Sequence, residues 1–405
     1  MFVEAIGEAA TYRDPWVASL DDRLRALVAQ PRRVAYYCEE AGPHTFRYRV
    51  FNMVQALDAR PALGISSAWF TRGDLEATLD FVDRADVLVI CRTRYDAKIG
   101  QMIGRAQARR VPVLYDIDDL IFDIRYAHQI GDTIGRSLGS SEEWDWWLGY
   151  IGRLGLTLQL CDGAITTNSF LAKHITAFAP WMSVKVIPNF LNQMQCAISR
   201  AIYERKSLSG FRRDDRVHIG YFSGTNTHGK DFRVAAGALS RLLDRNKGIH
   251  LHLVGSVEPP EHLSRHAERL HSYPVQDFVN LQRLQGRVEI VVAPLQDNVF
   301  TNCKSELKYY EAAIVGTVVI ASPIFAFREA ISDGETGFLA HPHEWDSKLD
   351  HVLAMLDGDA LAYRSVADRA YSHVEQRYGW TRQGGRIARE IFGDSVPING
   401  SGESG

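Results

Sequence analysis

The sequence predicts an α/β protein with two lobes, each built on a parallel β-sheet that is covered by helices. Short apolar runs of strand length alternate with amphipathic helical stretches, and such repeated strand–loop–helix units favour parallel sheets. The alternation stops in a polar stretch, 193–215, and then starts again, which indicates a linker between two sheets. The chain of 405 residues is long enough for two or three domains of about 100–200 residues each.

Apolar runs predict the strands of both lobes. In the first lobe they lie at 34–38, 86–91, 111–115, 164–167 and 184–187, with helices at 50–57, 99–110 and 170–178. In the second lobe they lie at 218–222, 250–254, 288–292 and 318–321, with helices at 231–243 and 304–315. Ligands of such sheets bind beyond the carboxyl ends of the strands, so two lobes predict a cleft between them.

Composition excludes several classes of protein. Apolar residues make up 46% and charged residues 23%, as in a soluble globular enzyme, and the net charge of −3 shows no basic excess for nucleic acid. The five cysteines include no C-x-x-C pair, which favours reduced thiols over a disulfide frame or a zinc site. We see neither a signal peptide nor an apolar run of about 18–20 residues, so we expect a cytoplasmic protein, with contact at the inner face of the membrane left open.

The segment 298–316 is the richest in chemistry. A helix predicted to open at Lys304 offers free backbone N–H groups and a positive dipole end, which suit a diphosphate. Lys304 in its first turn is easier to explain if an anion lies nearby. Glu311 can accept two hydrogen bonds from ribose hydroxyls. A plain amphipathic helix with solvated Lys308 and Glu311 explains the same residues equally well.

A family resemblance adds to this segment. The stretch Lys304-Ser-Glu-Leu-Lys-Tyr-Tyr-Glu-Ala-Ala-Ile-Val-Gly-Thr-Val-Val-Ile-Ala-Ser322, followed by Ile331-Ser-Asp-Gly-Glu-Thr-Gly-Phe-Leu339, resembles the signature of glycosyltransferase family four. It is most similar to a bacterial branch with a Lys-Ser-x-Leu-Lys-x-x-Glu pattern. Segments 217–232, 186–189 and 115–122 also resemble family segments in the right order. The resemblance covers the chain from about residue 34 to residue 378.

This resemblance implies a fold and a reaction. The family fold is GT-B, in which two Rossmann-like lobes face each other across a cleft and a C-terminal helix crosses back to the first lobe. It implies an acceptor-binding lobe at 1–205, a nucleotide-sugar-binding lobe at 206–377, and a return helix with a tail at 378–405. It also implies transfer of a sugar from a nucleotide-diphosphate donor to a glycan, lipid-linked or protein-linked acceptor, with retention of configuration. The expected setting is bacterial surface polysaccharide or glycoconjugate assembly, with no cofactor beyond the donor and no metal.

Functional residues of the family can be assigned to the matching positions of this chain. Glu311 corresponds to the glutamate that binds the donor ribose, and Ser305, Glu306 and Leu307 match backbone positions near the diphosphate. The full donor-binding set that the resemblance implies is Gly224, Thr225, His228, Lys230, Asn302, Lys304, Ser305, Glu306, Leu307, Lys308 and Glu311.

Two positions depart from the family pattern. Cys303 stands where the family often has a second glutamate, and Thr225 stands where it has an arginine. Lys304, Lys308 or an arginine of the first lobe can supply the missing charge. Lys304 is therefore also a candidate for stabilising the departing diphosphate.

The first lobe contributes candidates at predicted strand ends. Asp116 or Asp118 is expected to polarise the acceptor hydroxyl, while Asp119 either caps a turn or contacts the acceptor. An Asp-x-Asp pattern can bind a metal, but we do not expect one here. Arg47 and Arg49 are candidates for a donor or acceptor phosphate, although a helix would not place both on one face.

Other features left alternatives open. The cluster Trp144, Trp146 and Trp147 is expected to pack against its own lobe, with an acceptor pocket or a membrane surface as alternatives. The rival functions are a non-catalytic subunit that binds a nucleotide sugar and a GT-B sugar-nucleotide epimerase. A dehydrogenase is disfavoured, because no G-x-G-x-x-G follows the first strand.

Overall fold

The computed structural model describes residues 1–5, 10–224, 229–358 and 360–393. It contains two parallel β-sheets. Within each sheet, helices connect successive strands and cover the faces of the sheet. This arrangement confirms the prediction of an α/β protein with two Rossmann-like lobes.

The first lobe is built on a sheet whose strands are all parallel. Its strands are β1 (Arg32–Cys38), β2 (Ile65–Phe70), β3 (Val87–Cys91), β4 (Val113–Asp116), β5 (Gly163–Thr166) and β6 (Ser183–Val186). They are ordered β2-β1-β3-β4-β5-β6. The helices are α1 (Leu20–Leu27), α2 (Asn52–Asp58), α3 (Arg72–Ala77), α4 (Asp80–Arg84), α5 (Ala97–Ala108), α6 (Ala127–Thr133), α7 (Ser141–Gln159) and α8 (Ser169–Phe178).

The second lobe repeats this plan. Its strands are β7 (Val217–Phe222), β8 (Ile249–Val254), β9 (Leu270–Tyr273), β10 (Ile290–Ala293), β11 (Val318–Ala321) and β12 (Phe338–Leu339), ordered β12-β11-β10-β7-β8-β9. Its helices, preceded by α9 (Gln193–Leu208), are α10 (Gly229–Arg245), α11 (Glu261–Ser264), α12 (Phe278–Arg287), α13 (Val299–Asn302), α14 (Leu307–Ala313), α15 (Phe325–Ala330), α16 (Trp345–Gly358), α17 (Ala360–Tyr378) and α18 (Gln383–Phe392).

Some elements differ from those predicted. Strand β2 is fully buried, but Ser66 and Ser67 interrupt its apolar run and hid it from the pattern. The polar stretch after Asn192 contains the long helix α9, because the Asn192 side chain accepts the N–H of Gln195 and caps it. The predicted boundary between 205 and 206 falls within this helix and stays a prediction.

The described C-terminal segment, 378–393, returns to the first lobe, as predicted. The Tyr378 carbonyl accepts the N–H of Leu191, and Arg386 Nη2 donates to the Val186 carbonyl at 3.2 Å. Helix α18 packs so closely on α2 that any side chain at Gly384 would meet the Ala56 carbonyl oxygen. Helix α18 therefore connects the second lobe to the first.

Among the residues that the structure describes, no helix combines the length and the apolar character that crossing a membrane requires. All five cysteines lie in the described ranges and are free. Four of them are buried, and Cys196 is half-buried.

A ladder of histidines lies on one face of the second sheet. His218, His250, His252 and His271 come from three neighbouring strands and pair through their ring nitrogens. His218 Nδ1 lies 2.8 Å from His252 Nε2, and His250 Nδ1 lies 2.9 Å from His271 Nε2. Burial, reinforced by nearby positive groups, lowers the pKa of His218 to about 4 and that of His252 to about 3.

We expect this ladder to make the second lobe sensitive to acid. A base whose pKa is lowered by folding takes up protons more readily when unfolded, so its stabilisation is complete above pH 6.5 and declines below it. The loss at pH 4 is about 3 kcal/mol for His218 alone. Urea titrations across pH 4–7 should show a shallower decline for His218→Asn, whereas His262→Gln, an exposed control, should follow the wild type. An unchanged slope in His218→Asn would rule out the ladder as the cause.

Candidate active site

A cavity of about 840 Å³ lies between the two lobes and is lined by residues from both. In the first lobe its lining comes from loops that follow β1, β3 and β4, and in the second from loops that follow β7 and β10. These are the carboxyl ends of parallel strands, where such sheets bind ligands. The cavity is thus the predicted cleft.

Glu311 is one of two acidic residues of the second lobe in the described lining of this cavity, the other being Asp277. Its Oε1 accepts hydrogen bonds from the Tyr48 hydroxyl, from Arg47 Nη2 at 3.3 Å and from Gln195 Nε2 at 3.3 Å. Within the described part of the chain, no hydrogen bond to Oε2 is formed. The carboxylate is therefore anchored across the cleft through one oxygen, and the other can accept from a ligand.

Arg47 presents unsatisfied donors to the same cavity. It lies in one turn of π-helix, Arg47–Phe51, and its guanidinium lies over the rings of Tyr48 and Phe278, at 4.1 Å and 5.0 Å. The residue is only 5% exposed, yet Nε and Nη1 have no hydrogen-bond partner among the described residues. Burying an N–H group without an acceptor costs free energy, so we expect a ligand in this cavity to supply an acceptor group.

Two lysines bring positive charge to the second-lobe wall. Lys308 Nζ donates to the Phe222 carbonyl, and burial lowers its pKa to about 8 in spite of the nearby Asp231 and Glu311 carboxylates. Lys304 Nζ lies 3.5 Å from Asp119 Oδ1. Both lysines line the cavity and can meet the charge of a diphosphate.

The prediction that a helix begins at Lys304 is wrong, because the helix begins three residues later. Asn298 caps the separate short helix α13, and α14 begins only at Leu307. Asn168 Nδ2 donates to the carbonyls of Cys303 and Lys304, at 3.0 Å and 3.1 Å, and so draws them towards the first lobe and away from a helix. Because α14 has 7 residues, the charge of Lys304 contributes from a loop and the helix dipole contributes less than predicted.

The other predicted donor residues divide into two groups. Gly224, Ser305 and Leu307 line the cavity, and Asn189 Nδ2 donates to Ser305 Oγ at 3.1 Å. The side chains of Glu306 and Asn302 do not line it.

Three residues of this segment face away from the cavity. Glu306 accepts the Tyr378 hydroxyl at 2.8 Å, and Asn302 Oδ1 accepts the N–H of Phe325 at 2.7 Å, so these two side chains support the loop from behind. Cys303 is fully buried and does not face the ligand space either. The expected donor contact of Asn302 is therefore corrected to a supporting one, whereas Glu306 was expected near the diphosphate through its backbone and that expectation stays a prediction.

Three predicted residues precede this segment. Lys230 is not in the cavity wall, because its Nζ donates to Asp132 Oδ1 of the first lobe at 2.7 Å. Lys230 therefore bridges the two lobes through this ion pair and does not make the expected phosphate contact in this structure. Thr225 and His228 lie outside the described residues.

Arg49 and Asp116 form a buried pair beneath the cavity. Arg49 Nε and Nη2 donate to the two Asp116 oxygens at 2.8 Å and 2.9 Å, and Nη1 donates to the Ile187 carbonyl at 2.7 Å. Asp116 is 1% exposed, and neither residue lines the cavity. The expectations that Asp116 reaches the acceptor and that Arg49 reaches a phosphate are thus corrected, because each residue is occupied by the other.

Asp118 and Asp119 line the cavity. Both are held there by Arg92, a residue that the sequence analysis did not identify. Arg92 Nη1 donates to Asp118 Oδ1 at 3.0 Å and to Asp119 Oδ2 at 3.1 Å. The backbone of Arg92 has φ of 42°, a left-handed conformation that is strained for a non-glycine residue and is found at functional sites. Its position directly after β3 was the available signal. Among the described residues, no group of three potential ligands could hold a metal ion.

The three tryptophans lie in two different environments. Trp147 is buried and its Nε1 donates to the Ala127 carbonyl at 2.8 Å, and Trp144 packs partly buried against the same core. Trp146 is 50% exposed and lines the cavity. The cluster therefore packs against its own lobe, as expected, and also contributes the rings of Trp146 and Trp147 to the cavity lining.

The matches to known sequences cover part of the chain. Residues 216–358 match the family Glycosyl transferases group 1. A phosphatidyl-myo-inositol mannosyltransferase of Mycobacterium leprae is 37% identical over 91 residues, which are 22% of this chain and 23% of that protein. The chain thus spans about a quarter of the length of this curated relative.

Solved structures are similar over nearly the whole chain. Anabaena HepE in complex with UDP has a TM-score of 0.56 at 14% identity and covers 88% of this chain and 98% of that one. A glycosyltransferase of Rickettsia africae has a TM-score of 0.59 at 13% identity and covers 90% and 100%. At such identities the likeness concerns the fold. The chain has the GT-B fold, and its residues 216–358 are similar to the glycosyl transferases of group 1.

Proposed function

We propose that this protein is a glycosyltransferase that moves a sugar from a nucleotide-diphosphate donor to an acceptor, with retention of configuration. The observation that carries the proposal is the composition of the cavity. The free oxygen of Glu311, the unsatisfied N–H groups of Arg47 and the cations Lys304 and Lys308 meet in one interlobe space. The match of residues 216–358 to glycosyl transferases supports it.

We propose one orientation for the donor. Ribose hydroxyls donate to Glu311 Oε2, and the diphosphate lies towards the lysines and Arg47. The bond between the anomeric carbon and the diphosphate oxygen breaks, and a bond to the acceptor oxygen forms on the same face of the sugar. Lys304, Lys308 and Arg47 stabilise the negative charge that collects on the departing diphosphate.

The acceptor approaches from the first lobe. Asp118 lies at the carboxyl end of the first sheet, with Arg92 fixing its carboxylate. We assign it the polarisation of the acceptor hydroxyl, whose proton passes to the departing diphosphate oxygen on the same face as the new bond forms. Asp119, which pairs with both Arg92 and Lys304, couples this group to the donor side.

The names of similar proteins guide the choice of substrates. The Mycobacterium relative is a mannosyltransferase, and the Anabaena structure holds UDP. We therefore propose a hexosyl donor and, for the setting, assembly of a bacterial surface glycan or glycoconjugate.

Thermal shifts with UDP, GDP, dTDP, ADP and CMP, with and without magnesium, test the donor site. A ligand that binds only the folded state raises its melting temperature, so one diphosphate should stabilise the protein without magnesium. The matching nucleotide sugar should then be consumed in the presence of acceptor extracts. Stabilisation without any transfer or donor hydrolysis would favour the non-catalytic rival, and no stabilisation at all would refute the donor site.

Nucleotide affinity should weaken above pH 8. The bound diphosphate favours the charged form of Lys308, whose pKa in the empty site is about 8, so binding requires uptake of a proton at higher pH. We expect a constant dissociation constant below this pH and up to about a tenfold rise per pH unit above it. Calorimetric titration of the stabilising diphosphate measures this. Lys308→Met should abolish the dependence, while the exposed Lys173→Gln should keep it.

A further inference from the structure

Three aromatic rings of α7 line the first-lobe side of the cavity as nearly parallel planes. The centroids of Trp146, Trp147 and Tyr150 lie 5.4–6.2 Å apart, and their planes are within 15° of one another. The buried hydrogen bond of Trp147 to Ala127 fixes the array in place. An exposed indole held rigidly at a cavity lining is a preorganised contact surface.

Arg136 adds a cation to this array. Its Cζ lies 4.2 Å from the ring centroid of Trp146 and 5.1 Å from that of Trp147. Among the described residues no carboxylate forms an ion pair with Arg136, whereas Arg92 and Arg94 pair with acids. Stacking occupies the face of a guanidinium and leaves its N–H edge for an oxyanion.

The array lies beside the groups assigned to the acceptor. Tyr150 lies close to Arg92, which in turn holds Asp118. The donor groups Glu311 and Lys308 belong to the opposite lobe. The cavity of about 840 Å³ is large enough for a second ligand beside a nucleotide sugar.

We propose that the α7 array and Arg136 form an acceptor subsite for a sugar ring that carries an oxyanion, either a phosphate or a carboxylate. The proposal rests on the function proposed above. A pyranose has an apolar C–H face that packs on an aromatic plane, while its hydroxyls reach Asp118 at the edge. The oxyanion accepts hydrogen bonds from the free edge of Arg136.

Calorimetric titration with glucose 6-phosphate, glucuronate and glucose tests the subsite. The wild type should bind the two anionic sugars about tenfold more tightly than glucose, since a hydrogen bond to a charged group discriminates by roughly that factor. Arg136→Gln should lose this preference, and Trp146→Ala should weaken binding of all three sugars. Arg233→Gln, which removes an exposed charge outside the cavity, should bind like the wild type.

Several results would overturn the subsite. These are equal binding of glucose and glucose 6-phosphate, an undiminished preference in Arg136→Gln, or no sugar binding. Binding to vesicles of phosphatidylglycerol and phosphatidylcholine, lost in Arg136→Gln while sugars do not bind, would assign this surface to a membrane instead. Thermal shifts with nucleotides in the same variants separate the two proposals. Retained nucleotide binding without sugar discrimination refutes only the subsite.

Discussion

Replacement of Glu311 by glutamine is expected to lower kcat/KM for sugar transfer about 100-fold, since hydrogen bonds to a charged acceptor contribute about 1.5–3 kcal/mol each. Glutamine keeps the size of the side chain but has no negative charge to attract two ribose hydroxyls. Its amide keeps only one accepting oxygen, so it cannot accept both from Tyr48 and Arg47 at the Oε1 position and from the ribose at the Oε2 position, and the pair with Arg47 loses its negative charge. The anchor across the cleft is therefore weakened together with the ligand contact.

The decisive measurement is transfer rate together with nucleotide affinity. Both should decline in Glu311→Gln, because the ribose contact acts in the ground state and in the transition state. Glu329→Gln makes the same chemical change at an exposed position outside the cavity and should match the wild type. Wild-type transfer by Glu311→Gln would remove this residue from the donor site and contradict the proposed orientation.

The residues that we propose for the donor side of the site could be selected from the sequence because they are close together in it. Glu311, Lys308 and Lys304 share one loop and helix, so spacing and family resemblance could identify them together. Their partners on the first lobe could not be found in this way. Tyr48 lies 263 positions from Glu311 along the chain, and only the packing of the lobes brings the two together.

Other differences follow from interactions that a local pattern does not contain. Whether Lys304 belongs to a helix depends on Asn168, a residue of the other lobe that captures the carbonyl groups such a helix would need. The fold itself was easier, because alternating strands and helices leave a strong periodic signal. Strand β2 was missed because its buried serines find partners elsewhere, such as the Leu27 carbonyl that Ser66 Oγ reaches at 2.6 Å.

Asp116 shows the same limitation at the carboxyl end of β4. From the sequence, three aspartates at the end of one strand are equally good candidates for a ligand contact. In the structure Arg49 takes up both oxygens of Asp116, while Asp118 and Asp119 face the cavity. The distinction depends on one buried arginine, and it can be tested by removing that arginine.

Arg49→Ala is expected to destabilise the first lobe by about 3–5 kcal/mol, the cost typical of removing one partner of a buried ion pair. Burial already raises the pKa of Asp116 to about 6 with Arg49 beside it, so without Arg49 the carboxyl group would take up a proton, and it would lose both donors that now bond to it. The Ile187 carbonyl would lose its donor as well. The loss of stability should appear as a lower urea midpoint of the first-lobe transition, with the melting temperature lowered in parallel.

The double variant Arg49→Met and Asp116→Leu separates a structural role from a catalytic one. Replacing both members of a buried pair by apolar side chains of similar volume often restores stability, so much of the loss should be recovered. If Asp116 acts only through packing, the double variant should also transfer sugar at a rate close to that of the wild type. A stable double variant that binds nucleotide but transfers no sugar would return Asp116 to the catalytic group. Asp118→Asn should lose transfer in either case, because its carboxylate faces the cavity and stands where the acceptor is proposed to bind.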